Sequence, residues 1–136
     1  TGGTCRDLRY PLRRQRQRCI RDRAGTYQTG LYDLALRACG VQPLVPDAQG
    51  VAQLMEGIYQ GVKSGHMALA EQRLGAVLGQ MLQRHGDVPV IMGCTEIPLA
   101  LPQAPQAQGR ALVDPAWVLA QALVQRAYAP ETVGVH

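Results

Sequence analysis

Lysine is almost absent from this chain, long apolar runs are missing, and no two cysteines form a C-x-x-C pair. Each absence excludes something. No apolar run reaches the roughly 18 residues that a membrane-spanning helix needs, so no membrane partner is expected. The chain opens on Thr1 without an apolar stretch, so no secretory signal is expected. Cys5, Cys19, Cys39 and Cys94 stand at wide, irregular gaps. Zinc-finger spacing is therefore excluded, and a reduced, cytoplasmic setting is the expectation.

The basic residues are arginines with one exception, Lys63. Their distribution is uneven. Residues 1–23 hold eight arginines against Asp7 and Asp22, whereas the remainder holds six basic and eight acidic residues. The formal charge of +4 thus belongs to one segment and not to the folded body. That segment has no clear helix or strand period, and a block of like charge with few apolar residues is expected to be disordered. It lacks aromatic interleaving, so nucleic-acid binding is not expected despite its charge.

From residue 24 the pattern is regular. Leu31, Leu34 and Ala35 stand at helical spacing, and Gly40 closes that helix. Val41 to Val45 reads as a short strand. Asp47 reads as the N-cap of a helix with Val51, Leu54, Met55, Ile58 and Tyr59 on one face, running toward Lys63. Ser64-Gly65 breaks it. A third helix covers about Met67 to Arg84, and Gly86 ends it. Val88 to Met92 is a continuous apolar run, as in a strand buried on both faces. After a Pro/Gln/Ala loop, Ala111 to Val113 is a strand, and Asp114-Pro115 opens a last helix to about Tyr128. Helices alternating with apolar strands give an α/β class, with a short parallel sheet flanked by helices. The organisation expected is an Arg-rich arm at 1–23, one α/β lobe over 24–130 and a tail at 131–136.

Ligands in such sheets sit beyond the carboxyl ends of the strands. Cys94 lies there, just past Val88–Met92, and a helix start is expected at Thr95 or Glu96. A thiolate there would serve as a base or a nucleophile. A buried structural cysteine fits the same position equally well.

Gly93-Cys94-Thr95-Glu96-Ile97-Pro98-Leu99 resembles the second cysteine motif of the aspartate/glutamate racemase family, with Glu96 as in its aspartate racemase branch. Three further segments resemble that family in order and spacing. They are Gly25-Thr26 with Thr29-Gly30-Leu31-Tyr32, then Pro46-Asp47 through Gly57-Ile58-Tyr59-Gln60-Gly61-Val62-Lys63-Ser64-Gly65, then Leu112-Val113-Asp114-Pro115. The resemblance covers residues 25–128 and implies one lobe of a two-lobed racemase fold. It implies racemisation of an acidic amino acid without a cofactor, by two thiols facing one Cα from opposite sides.

By that resemblance Cys94 is one catalytic thiol, and Lys63 holds a substrate carboxylate. Thr95 and Thr26 would contact the same carboxylate, and Glu96 would contact the substrate ammonium or tune Cys94. Each has a plain structural counterpart: a solvated helix end for Lys63, a cap for Thr95, a charge at a helix start for Glu96. Asp114 reads as a cap, and His66 and His85 as surface residues. The family's first motif, an apolar strand ending in Cys-Asn-Thr, has no match in this chain. The expectation is therefore a truncated second lobe. A non-catalytic remnant binding a dicarboxylate or a partner lobe is the alternative. An exposed cleft face would invite self-association, so a homodimer is a further expectation.

Overall fold

The structure is a computed structural model, and it describes residues 18–21 and 30–129. Among the described residues four parallel strands form one sheet in the order β2-β1-β3-β4. They are β1 (Arg18–Arg21), β2 (Gln42–Leu44), β3 (Val90–Ile91) and β4 (Leu112–Val113). β1 is central. Ile20 stands in register with Leu44 on one side and Val90 on the other. β3 continues to β4 with Val90 opposite Leu112.

β1 corrects the expectation of a structureless arm over 1–23 for residues 18–21. Four residues are too few to show a period. The strand exists because β2 and β3 offer it backbone partners on both sides, and main-chain pairing there overrides weak local preference. The rest of that segment, the tail after Ala129, and Thr26 lie outside the described residues.

Helix α1 (Leu31–Ala38) links β1 to β2 and ends at Gly40, as its pattern predicts. The β2–β3 connection is long. It contains α2 (Ala48–Glu56), a π-turn (Gly57–Gly61), a 3₁₀ turn (Val62–Ser64) and α3 (Met67–His85). Asp47 caps α2 by accepting from the Gly50 N–H at 2.8 Å, and Arg84 pairs with its other oxygen at 2.9 Å. These contacts hold the Asp47 carboxyl below its ordinary value, the Gly50 N–H contributing most. α4 (Ile97–Ala100) is a single turn with Pro98 in its first positions. Two 3₁₀ turns, Leu101–Gln103 and Pro105–Ala107, lead to β4. Asp114 caps α5 (Pro115–Ala127) through the N–H groups of Ala116 and Trp117.

The core lies on one side of the sheet. Leu54, Ile58, Leu74, Leu78, Met81, Val90 and Ile97 are all buried in it. By the right-handed crossover rule, the move from β1 to β2 and the return from β2 to β3 place their helices on opposite faces. The long connection and the 97–107 segment thus share the packed face. The π-turn and α3 press together so closely that a Cβ on Gly61 would stand 2.7 Å from the Ala70 Cβ and 2.8 Å from its Cα. Only glycine fits there. α5, by contrast, buries none of its residues, and Trp117, Leu119 and Leu123 are exposed.

Tyr59 departs from its expected place on the apolar face of α2. It is half exposed, at 50%. The π-turn is the reason: an extra residue in one turn shifts the phase of the residues in and after it relative to α2. The cysteines also depart from expectation. Cys94 is not in a disulfide, but Cys39 is disulfide-bonded. Sequence gaps do not reveal which sulfurs the fold brings within bonding reach.

Candidate active site

The site forms where β3 runs out. The chain leaves Ile91 and bends through Cys94, Thr95 and Glu96, and Ile97 then opens α4. Ile97 is fully buried, which anchors this bend to the core. Cys94 is 8% exposed and packs with the core cluster, while Thr95 is exposed at the rim. From the other side comes the end of the β2–β3 connection. Gly65 takes φ 75° there, and His66 N–H donates back to the Gly61 carbonyl at 2.9 Å while Gly65 N–H donates to Val62 at 3.2 Å. This pair of bonds is a Schellman closure. It leaves Lys63 in the last turn.

Glu96 joins the two sides. Its Oε1 lies 3.6 Å from Lys63 Nζ. Its Oε2 accepts the Thr95 hydroxyl at 3.1 Å. It also accepts a hydrogen bond from the Cys94 thiol. Of the five residues expected around the substrate, Cys94, Thr95 and Lys63 therefore converge on Glu96, and Thr26 lies outside the described residues. Partial burial pushes the Glu96 carboxyl up, but the hydrogen bonds from Cys94, Thr95 and its own backbone, with the Lys63 charge, outweigh it. The net result is a carboxyl held below its ordinary value. Tyr59 is the residue that sequence reasoning placed elsewhere. Its ring lies 4.5 Å from Lys63 Nζ. The four-residue spacing to Lys63 was the signal that could have found it. Among the described residues no group of three His, Cys, Asp or Glu side chains could hold a metal ion.

The lowered Glu96 value gives a signed expectation. A carboxyl held low in the folded state adds stability at neutral pH. That contribution disappears as the pH falls through the ordinary carboxylate range to the lowered value. Glu96 is partly solvated, so the contribution should be a fraction of ~1 kcal/mol. Urea unfolding of the wild type and Glu96→Gln should show a stability gap at pH 7 that narrows as the pH falls below the ordinary carboxylate range. An unchanged gap would exclude the Glu96 carboxylate charge as its source.

Taken with the fold, these features define a parallel-sheet α/β lobe whose strand ends carry a thiol, a hydroxyl, a carboxylate and an ammonium. Residues 24–123 match the Asp/Glu/Hydantoin racemase family, and the chain belongs to it. An uncharacterized protein in the pnlA 3′ region of Pectobacterium carotovorum subsp. carotovorum is 35% identical over 89 residues, covering 65% of this chain and 58% of that protein. The fold is shared with an aspartate racemase homologue from Pyrococcus horikoshii OT3, at a TM-score of 0.69 and 24% identity, covering 85% of this chain and 50% of that one. It is shared also with an aspartate racemase from Picrophilus torridus, at a TM-score of 0.65 and 22% identity, covering 82% and 45%. The chain thus spans about half the length of the relatives it matches. Among the described residues no helix is long and apolar enough to cross a membrane.

Proposed function

We propose that this chain is the second lobe of an amino-acid racemase that moves the Cα proton of an acidic amino acid, aspartate or glutamate, without a cofactor. The convergence of Cys94, Thr95 and Lys63 on Glu96 is the observation that carries this reading. Family membership and the racemase fold support it.

The chemistry follows from the residues. Lys63 binds a substrate carboxylate as a point charge, displacing Glu96 from the ammonium. Thr95 adds a hydroxyl to the same carboxylate. Holding that group also spreads the negative charge that develops when the Cα proton leaves. Cys94 gives or takes the proton, and the Glu96 carboxylate takes the thiol proton when Cys94 must act as a base. Thr26 would complete the carboxylate site. The second thiol and the other half of the cleft would come from the lobe that faces this one. A reducing cytoplasm would keep Cys94 a thiol, and the Cys39 disulfide would open there.

A second reading has its own support. Cys94 is buried and packs with the core cluster, so the site could bind a dicarboxylate without catalysing exchange. Both readings predict that L-aspartate or L-glutamate slows alkylation of Cys94, followed by mass spectrometry of the Cys94 peptide. Unchanged alkylation at millimolar amino acid would leave Cys94 a structural cysteine and sink both. Cα exchange, treated below, separates them.

A further inference from the structure

We infer that Tyr59 is a positioning residue for Lys63: its ring face holds the ammonium at the edge of the site, within reach of Glu96 and of an incoming carboxylate. The weight of this for function rests on Lys63 being the carboxylate-binding lysine.

The geometry begins with helix phase. Nine residues separate Leu54, in the core, from Lys63. On an unbroken α-helix that is two and a half turns, so Lys63 would point about 180° away from the core. The π-turn Gly57–Gly61 absorbs an extra residue and winds the chain back by about 100°. Lys63 then lies on the flank that faces Glu96. Side chains hold the turn in this form. Ser64 Oγ donates to the Tyr59 carbonyl at 2.8 Å, and His66 Nδ1 lies 3.1 Å from the Gln60 carbonyl. Gly61 lets the turn lie against Ala70.

The ring then does what the ion pair does poorly. Lys63 is 43% exposed along its side chain, and its contact with Glu96 is long at 3.6 Å. An exposed pair of that kind contributes little, because a lysine stem has many rotamers to lose. The face of Tyr59 at 4.5 Å attracts the same ammonium from a second direction. At an exposed site this favours the observed rotamer about two- to fivefold. An aromatic face does not neutralise the charge. The ammonium stays available to a carboxylate when Glu96 is displaced.

Lys63 is the one lysine in the chain, which makes the test direct. Reductive methylation with ¹³C-formaldehyde labels its amine, keeps its charge, and leaves the N-terminal amine as a separate signal. The Lys63 methyl signals should be shifted upfield by the Tyr59 ring. Tyr59→Leu should return them to the free-lysine position, and Tyr59→Phe should restore the shift. Coincident signals in the wild type and Tyr59→Leu, with both folded by circular dichroism, would overturn the inference. Titration with L-aspartate is the second arm. Tyr59→Leu should weaken binding about two- to fivefold, and Tyr59→Phe should recover it. If the ring shift depends on Tyr59 but L-aspartate moves no Lys63 signal, the positioning stands and the carboxylate-binding reading of Lys63 falls.

Discussion

Replacing Cys94 by alanine is expected to remove Cα-proton exchange from L-aspartate in deuterated water, slowing it by about 10²–10⁴-fold. The argument rests on where the thiol sits. Cys94 follows the strand that carries Val90 and Ile91 into the sheet, and Ile97 pins the chain just beyond it. The sulfur is therefore fixed by the core and not by a free loop, which is what proton transfer at a defined carbon needs. Its thiol contacts a carboxylate that also meets Lys63 and Thr95. Alanine removes the group that carries the proton and leaves the carboxylate-binding residues in place. Binding should therefore survive while exchange does not. Proton NMR of the aspartate Cα signal measures the exchange directly and needs only one face of the substrate to be served. Equal exchange in wild type and variant would dismiss Cys94 as the proton carrier. Binding without exchange in the wild type would favour the dicarboxylate-binding reading.

Leu74→Ala should be the most damaging single truncation in the core. Leu74 is 1% exposed and sits on α3 against the π-turn, its Cδ2 3.3 Å from where a Cβ on Gly57 would stand. The substitution removes buried methyl groups and leaves a cavity, at a cost of ~2–5 kcal/mol. For a chain of this size that corresponds to a fall of roughly 8–20 °C in melting temperature. Leu34→Ala is the control. Leu34 is 71% exposed, so its truncation should change stability by no more than about 0.5 kcal/mol. Thermal unfolding followed by circular dichroism separates the two. Similar melting temperatures for both variants would mean that the core is not centred on α3. Loss of Leu74 should also loosen Lys63, because the π-turn rests on α3.

Much of the framework was legible in the pattern. Asp47 and Asp114 announced helix starts, and both accept the backbone N–H groups that capping requires. Gly40, Gly65 and Gly86 announced helix or turn ends, and all three take positive φ. Val88 to Met92 read as a buried strand because it is apolar without alternation, and β3 lies within it between β1 and β4. β1 was not legible. Arg18-Cys19-Ile20-Arg21 carries too little pattern, and its strand character comes from neighbours remote in sequence. The π-turn was not legible either, since a local change of helical phase leaves no mark on residue type.

The sequence by itself determined the α/β alternation, the helix caps and the residue types of the candidate site. Those features depend on local chemistry: side chains that cap, glycines that reverse, apolar residues that recur at one period. Tertiary structure decided the rest. It put a strand in the arginine-rich segment, paired Cys39 in a disulfide and turned Tyr59 out of the core toward Lys63. It also made Glu96 the common partner of Cys94, Thr95 and Lys63. Each of these depends on distances between segments far apart in the chain, and only the packed fold sets those distances.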